Sequence, residues 1–206
     1  MTGLPRLCKL KRRASFNMRM RLIHFAVGVA LVRLQAQDVA IDTARSLISI
    51  HVGKAGLMSR AAHEHWVNAP ITSGTIRESG SLEVQFKVES GKLTVKPDPN
   101  VDAKTQAQIQ KDMEEVTLET NKFPEISFHS TRIEAAGSGQ WKVSGDLSLH
   151  GVTKPVSVIV TRNGAAYIGD ALLKQTDFGI KPISIAGGMV KIKNEIDVAF
   201  QIYPAR

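Results

Sequence analysis

Hydrophobic and polar residues alternate along most of this 206-residue chain. Ile48, Ile50 and Val52 interleave with Ser49 and His51, and Leu82, Val84, Phe86 and Val88 interleave with Glu83, Gln85 and Lys87. Trp141, Val143, Leu147 and Leu149 repeat the pattern, as do Val156, Val158 and Val160. The longest case sets Val190, Ile192, Ile196, Val198, Phe200 and Ile202 on one face and Lys191, Lys193, Glu195, Asp197 and Gln201 on the other. A period of two predicts strands with one dry and one wet face, the usual mark of antiparallel sheet. Residues 105–120 differ: they are poor in β-formers, and Ile109, Met113 and Val116 recur at spacings of four and three. That stripe predicts a helix, started by Asp102 or by Lys104 and Thr105, and ended by Asn121 before Pro124. Residues 96–100 and 136–139 and the pair Asn163 and Gly164 are rich in turn formers. Many strands, short turns and one helix leave a sandwich or a closed barrel, and periodicity does not choose between them.

The most informative run is residues 144–156, SGDLSLHGVTKPV. It reads as a half-buried strand, a turn at Gly151 and a second strand beginning near Pro155, where a missing N–H is tolerated. Together with FPEISFHST at 123–131 and TDFGI at 176–180, this run closely resembles the YceI-like family of lipocalin-shaped lipid carriers. The resemblance covers about Val39 to Tyr203. It implies an all-β fold, an antiparallel lipocalin-like barrel of about eight strands with the one α-helix. It also implies an exported or periplasmic protein that holds a long isoprenoid or acyl amphiphile in its lumen without a covalent bond. Alternation and the family shape together place the tail against Ile48, Ile50, Val84, Phe86, Leu147, Leu149, Val158, Val198 and Phe200. A core filled by the protein's own side chains is the competing reading for the same residues. Phe123, Pro124, Phe178, Gly179 and Ile180 match family motifs and also suit corners and bulges, while Lys154 and Asp177 suit turn or surface contacts. One departure stands out: Lys54 occupies a position where the general family pattern has histidine. The following Ala61, Ala62, His63, Glu64, His65 and Trp66 resemble a histidine-bearing subgroup.

Charge changes the picture only at the N-terminus. The chain carries a net charge of +8, but residues 1–37 hold eight cations and no acid, so 27 − 8 = 19 cations face 19 acids in the remainder. A neutral body lacks the cationic stripe that displaces counterions from phosphates, and Trp66 and Trp141 form no evident stacking platform. Nucleic-acid binding is therefore not expected. The basic leader runs into an apolar stretch at 22–34, too short for a bilayer span of about 20 residues and suited to a secretory signal cut near Ala36. Residues 1–37 thus read as a leader, with Met18 or Met20 as alternative starts, and 38–206 as the domain, periplasmic or secreted. The only cysteine, Cys8, lies before the apolar stretch. A mature chain without thiols has no disulfide, no cysteine-ligated zinc and no thiol catalysis.

His63 and His65 are two apart, so in a strand their imidazoles point the same way, a geometry that sets two nitrogens around one metal at about 2.0–2.1 Å. A third ligand would come from His51, Glu64, His129, His150 or Asp177. A hydrogen-bonded rim pair is the plainer reading. No nucleophile elbow, P-loop or dinucleotide fingerprint is present, and Asp146 and His150, four apart on one strand, sit roughly 13 Å from each other. The expected protein is a non-enzymatic carrier with no required cofactor, whose ligand is an isoprenoid, quinone or fatty-acyl chain. Transient membrane contact and a homodimer through an unpaired edge strand are the expected further partners. The alternatives are a metal-binding or stress-response protein using His63 and His65, and a filled structural barrel.

Overall fold

The structure is a computed structural model in which residues 37–55, 64–185 and 190–206 are described. The leader, with Cys8, Met18, Met20 and all but its last residue, and His63 lie outside the described residues.

Twelve strand segments form one sheet: β1 (Asp38–Ala40), β2 (Leu47–Ala55), β3 (His65–Ala69), β4 (Ser73–Arg77), β5 (Glu83–Glu89), β6 (Thr94–Val95), β7 (Glu125–Gly137), β8 (Gln140–Leu149), β9 (Val152–Asn163), β10 (Ala166–Lys174), β11 (Ser184–Ile185) and β12 (Val190–Ile202). Every pairing is antiparallel. The hydrogen-bonded order is β1-β4-β5-β7-β8-β9-β10-β12-β2-β3-β6. Its two ends meet through the chain itself. β3 runs into β4 across Pro70, which ends the first segment by removing a ladder donor. β5 runs into β6 through a 3-10 turn at Ser90–Lys92. β3 and β4 act as one kinked strand lying against a second, β5 with β6, with Thr72 N–H donating to the Lys87 carbonyl at 2.8 Å between them.

Counted this way, eight long strands close a ring. The expectation of about eight thus needs refinement: the kinks and the short strands β1 and β11 raise the number of segments. Ser90 fixes the second kink, its N–H donating to the Pro124 carbonyl (2.9 Å) and its hydroxyl to the Phe123 carbonyl (2.7 Å). The wall continues at one end through β1, which pairs with β4. The chain ends are stitched there as well: Ala205 N–H donates to the Ala40 carbonyl, and Asp42 N–H to the Tyr203 carbonyl.

The helix α1 (Ala103–Asp112) begins as the sequence predicts. Asp102 caps it, accepting from the N–H groups of Lys104 and Thr105 at 3.0 Å each and from the Thr105 hydroxyl at 2.6 Å. These three donors hold the Asp102 carboxyl below its usual range, the Thr105 hydroxyl most of all. Its far end corrects the expected stripe. Met113–Thr117 forms a π-helical turn, with Leu118 N–H reaching back to Met113, and the extra residue in that turn rotates the apolar face by one position. Ile109 and Met113 still pack on the core, but Leu118 follows them inward, while Val116 is left 65 % exposed. Gln110 docks the helix on β6 as a strand would, accepting from Val95 N–H and donating to the Leu93 carbonyl, both at 2.8 Å. No helix among the described residues is long and apolar enough to cross a membrane.

Candidate functional site

The ring is hollow. A cavity of about 280 Å³ occupies its interior, and a second of about 150 Å³ lies under α1. Ile50, Ile126, Leu149 and Ile196 line both, so the two volumes share a wall and form neighbouring lobes of one interior.

All nine residues read from the sequence as the inward set line the larger lobe: Ile48 and Ile50 from β2, Val84 and Phe86 from β5, Leu147 and Leu149 from β8, Val158 from β9, and Val198 and Phe200 from β12. Strand alternation puts them there, because each pair is two apart on its own strand. The rings of Phe86 and Phe128 stack at 5.5 Å across the β5–β7 ladder. Phe128 also folds over Gly145, where an added Cβ would come within 2.5 Å of its ring and 2.4 Å of the His129 carbonyl oxygen. Glycine there lets an aromatic side chain serve as wall. The interior is therefore not plugged by its own side chains.

Among the described residues, polar side chains line the larger lobe at one end, near the β4–β5 and β9–β10 turns: Arg77, Glu78, Glu83, Arg162 and Tyr167. Arg77 bridges two strands and the edge, donating to Asp38 through Nε (2.7 Å) and Nη2 (3.1 Å) and to Glu83 through Nη1 (2.7 Å). The Asp38 hydrogen bonds and both carboxylates push the Arg77 guanidinium further above its already high pKa. Tyr167 donates its hydroxyl to Glu78, its ring meets Trp141 edge-on at 5.8 Å, and the Arg162 guanidinium lies 5.6 Å from its centroid. Burial, then the Glu78 hydrogen bond and charge, pushes the Tyr167 phenol up to about 12 from 10.0. Below pH 10 the folded and unfolded phenols are both protonated, and stability is flat with respect to this group. Between about 10 and 12 the unfolded phenol loses its proton first, so stability falls as pH rises. Chemical denaturation over that window should show a smaller alkaline loss in Tyr167→Phe than in the parent.

The sequence reading missed this polar end. Arg162 extends the inward series Val156, Val158 and Val160, and that alternation was a usable signal. β10, which supplies Tyr167, carries glycine and aspartate within it and does not announce itself as a strand. The smaller lobe was missed too, since it depends on where α1 docks.

Of the candidate metal ligands, His51 and Glu64 lie in hydrogen-bond contact, and the described residues form no cluster of three. His65 faces the smaller lobe. His51 is on the outer wall, its Nδ1 3.3 Å from Asp197 and its Nε2 3.1 Å from Glu64, with its ring stacked on Trp66 at 4.7 Å. His129 is 4.0 Å from Glu83. His150 is nearly buried at the β8–β9 turn, 2.9 Å from Glu119 and 3.3 Å from the Phe178 carbonyl. Asp177 is exposed in the 3-10 turn Gln175–Phe178. Among the described residues no three histidines or acids converge on a point where a metal would sit.

A closed antiparallel ring of eight long strands around an apolar cavity defines a lipocalin-like barrel. A family model for the YceI-like domain matches residues 40–203, and the chain belongs to that family. It is 35 % identical over 94 residues to a UPF0312 protein of Pseudomonas savastanoi pv. phaseolicola, a match covering 41 % of this chain and 47 % of that one. A UPF0312 protein of Shewanella denitrificans is 35 % identical over 106 residues, covering 46 % of this chain and 56 % of that one. The chain thus spans about half the length of the curated relatives it matches. Among solved structures, a polyisoprenoid-binding domain from Saccharophagus degradans, implicated in plant cell wall breakdown, superposes with a TM-score of 0.56 at 17 % identity, covering 82 % of this chain and 98 % of that one. Burkholderia cenocepacia BcnA does so with a TM-score of 0.54 at 18 % identity, covering 80 % and 99 %. At such identities the likeness concerns the fold.

Proposed function

We propose that the protein is an exported carrier that holds one long-chain amphiphile, of isoprenoid or acyl type, by its tail inside the barrel. The observation that carries this reading is the separation within the larger lobe: aliphatic and aromatic walls along its length, polar groups at one end. Such a site takes a molecule with the same division. A tail of a dozen carbons gains about 10 kcal/mol at about 0.8 kcal/mol per buried CH₂, before ordering costs. The described residues lining the larger lobe are mostly aliphatic and aromatic, which suits a binder. The basic leader and the apolar stretch at 22–34 support export to the periplasm or beyond. The Saccharophagus domain, which carries polyisoprenoid binding in its name, agrees with this reading.

Freshly purified protein, extracted with organic solvent and read by mass spectrometry, should release a long-chain amphiphile at near one per chain. An empty extract from protein that also takes up no added long-chain lipid would sink the proposal.

A further inference from the structure

Among the described residues, β9 and β10 leave a long stretch of the barrel wall unpaired. β9 pairs with β8 from Val152 to Thr161, yet it meets β10 only through Val160–Asn163. β10 in turn pairs with β12 from Tyr167 to Lys174 but with β9 only at residues 166–169. By register, residues 155–159 of β9 and 170–174 of β10 therefore run past each other without a ladder, while Val152 lies near Gly179 of the following turn. The cause is local. At the upper end Gly169 allows a close approach, since a Cβ there would stand 2.7 Å from the Ile159 carbonyl oxygen and 2.5 Å from the Phe200 ring. At the lower end the chain leaves β10 for the 3-10 turn Gln175–Phe178. That turn is tied to β12 instead, with Gln175 donating to the Lys193 carbonyl (2.7 Å) and the Asn194 side chain bonding Thr176 twice (2.9 and 3.0 Å). β10 is thus drawn toward β12 and away from β9.

Between these ends lies a slit roughly 15 Å long, at about 3.3 Å per residue along each lip. Its inner lips belong to the cavity, with Val156 and Val158 on one side and Ala171 and Leu173 on the other. Its outer lips carry two of the large apolar side chains exposed on this protein, Ile159 at 49 % and Leu172 at 65 %. Along the paired seams of the wall, opening the ring means breaking a ladder, and along this stretch there is no ladder to break.

We propose that this slit is a lateral portal through which the apolar chain of the ligand passes sideways into the lumen, while its head group stays at the polar end. Exposed Ile159 and Leu172 outside, continuous with Val156, Val158, Ala171 and Leu173 inside, give a hydrocarbon an apolar path across the wall. A head group then never has to cross the apolar interior, which would strip its hydration without replacing it. The proposal rests on the carrier reading above.

The test blocks the slit after the protein has folded. In the full-length chain with Cys8→Ser, single cysteines are placed by Leu172→Cys at the slit, Leu82→Cys at the polar end and Val116→Cys on the exposed turn after α1. Each is coupled to a polyethylene-glycol maleimide, and uptake of cis-parinaric acid is followed by stopped-flow fluorescence. The label at 172 should slow uptake about tenfold or more, with the final stoichiometry unchanged. The label at 116 should leave the rate alone, and the label at 82 should slow it far less than the one at 172. Uptake at the unlabelled rate with 172 blocked, or slowing from 82 alone, overturns the portal while leaving the carrier reading intact. No uptake by the unlabelled chain overturns the carrier reading, and the portal with it.

Discussion

Val198→Trp should weaken binding of a long-chain amphiphile about a hundredfold while the barrel still folds. Val198 sits on β12 between Ile50 of β2 and Ala171 of β10 and points into the larger lobe. An indole there has cavity to grow into, so the usual strain of overpacking is relieved by space already present. The same space is then closed to the ligand. Displacing about four methylenes at about 0.8 kcal/mol each costs about 3 kcal/mol, roughly two decades in affinity. Titration with a fluorescent fatty acid measures the loss, and a denaturation midpoint near that of the parent shows that the fold survived. Affinity equal to the parent's would mean that the ligand does not use the lumen.

Phe178→Ala should destabilise the domain by about 3–5 kcal/mol, the range for truncating a buried phenylalanine. Its side chain is 2 % exposed and belongs to the main core cluster. It also ends the turn that closes the slit from below, and its carbonyl lies within hydrogen-bond reach of His150. The chain reverses there at Gly179, whose φ of 74° favours glycine. Phe178→Leu keeps much of the volume and should cost under about 1.5 kcal/mol. Urea denaturation of both variants checks the difference, and equal midpoints would show that the ring contributes little.

The alternation along β2, β5, β8, β9 and β12 was enough to place nine residues of the lumen wall, because a strand has only two sides and one of them is apolar. Closure was harder to read. It depends on β3 with β4 and β5 with β6 being single strands in space although each is interrupted in sequence, and no periodicity bridges Pro70 or the turn at Ser90–Lys92. The helix was legible in place and start, since Asp102 is a strong cap, but spacing assumes 3.6 residues per turn. The π turn at Met113–Thr117 breaks that assumption and exchanges Val116 for Leu118. The polar end was least legible. Arg77, Glu78, Arg162 and Tyr167 come from three strands and a turn, and their convergence is a property of the ring alone.

That the ring joins up partly through the chain, at Pro70 to Thr72 and at Ser90–Lys92, has a topological consequence. Cutting the backbone at both kinks would leave each ladder in place and yet turn a hoop into an open ribbon, whereas a cut at one leaves the other link to hold it. New termini, or inserted partners, belong at the hairpin tips near Gly139 and Gly164, where continuity of the hoop is not at stake.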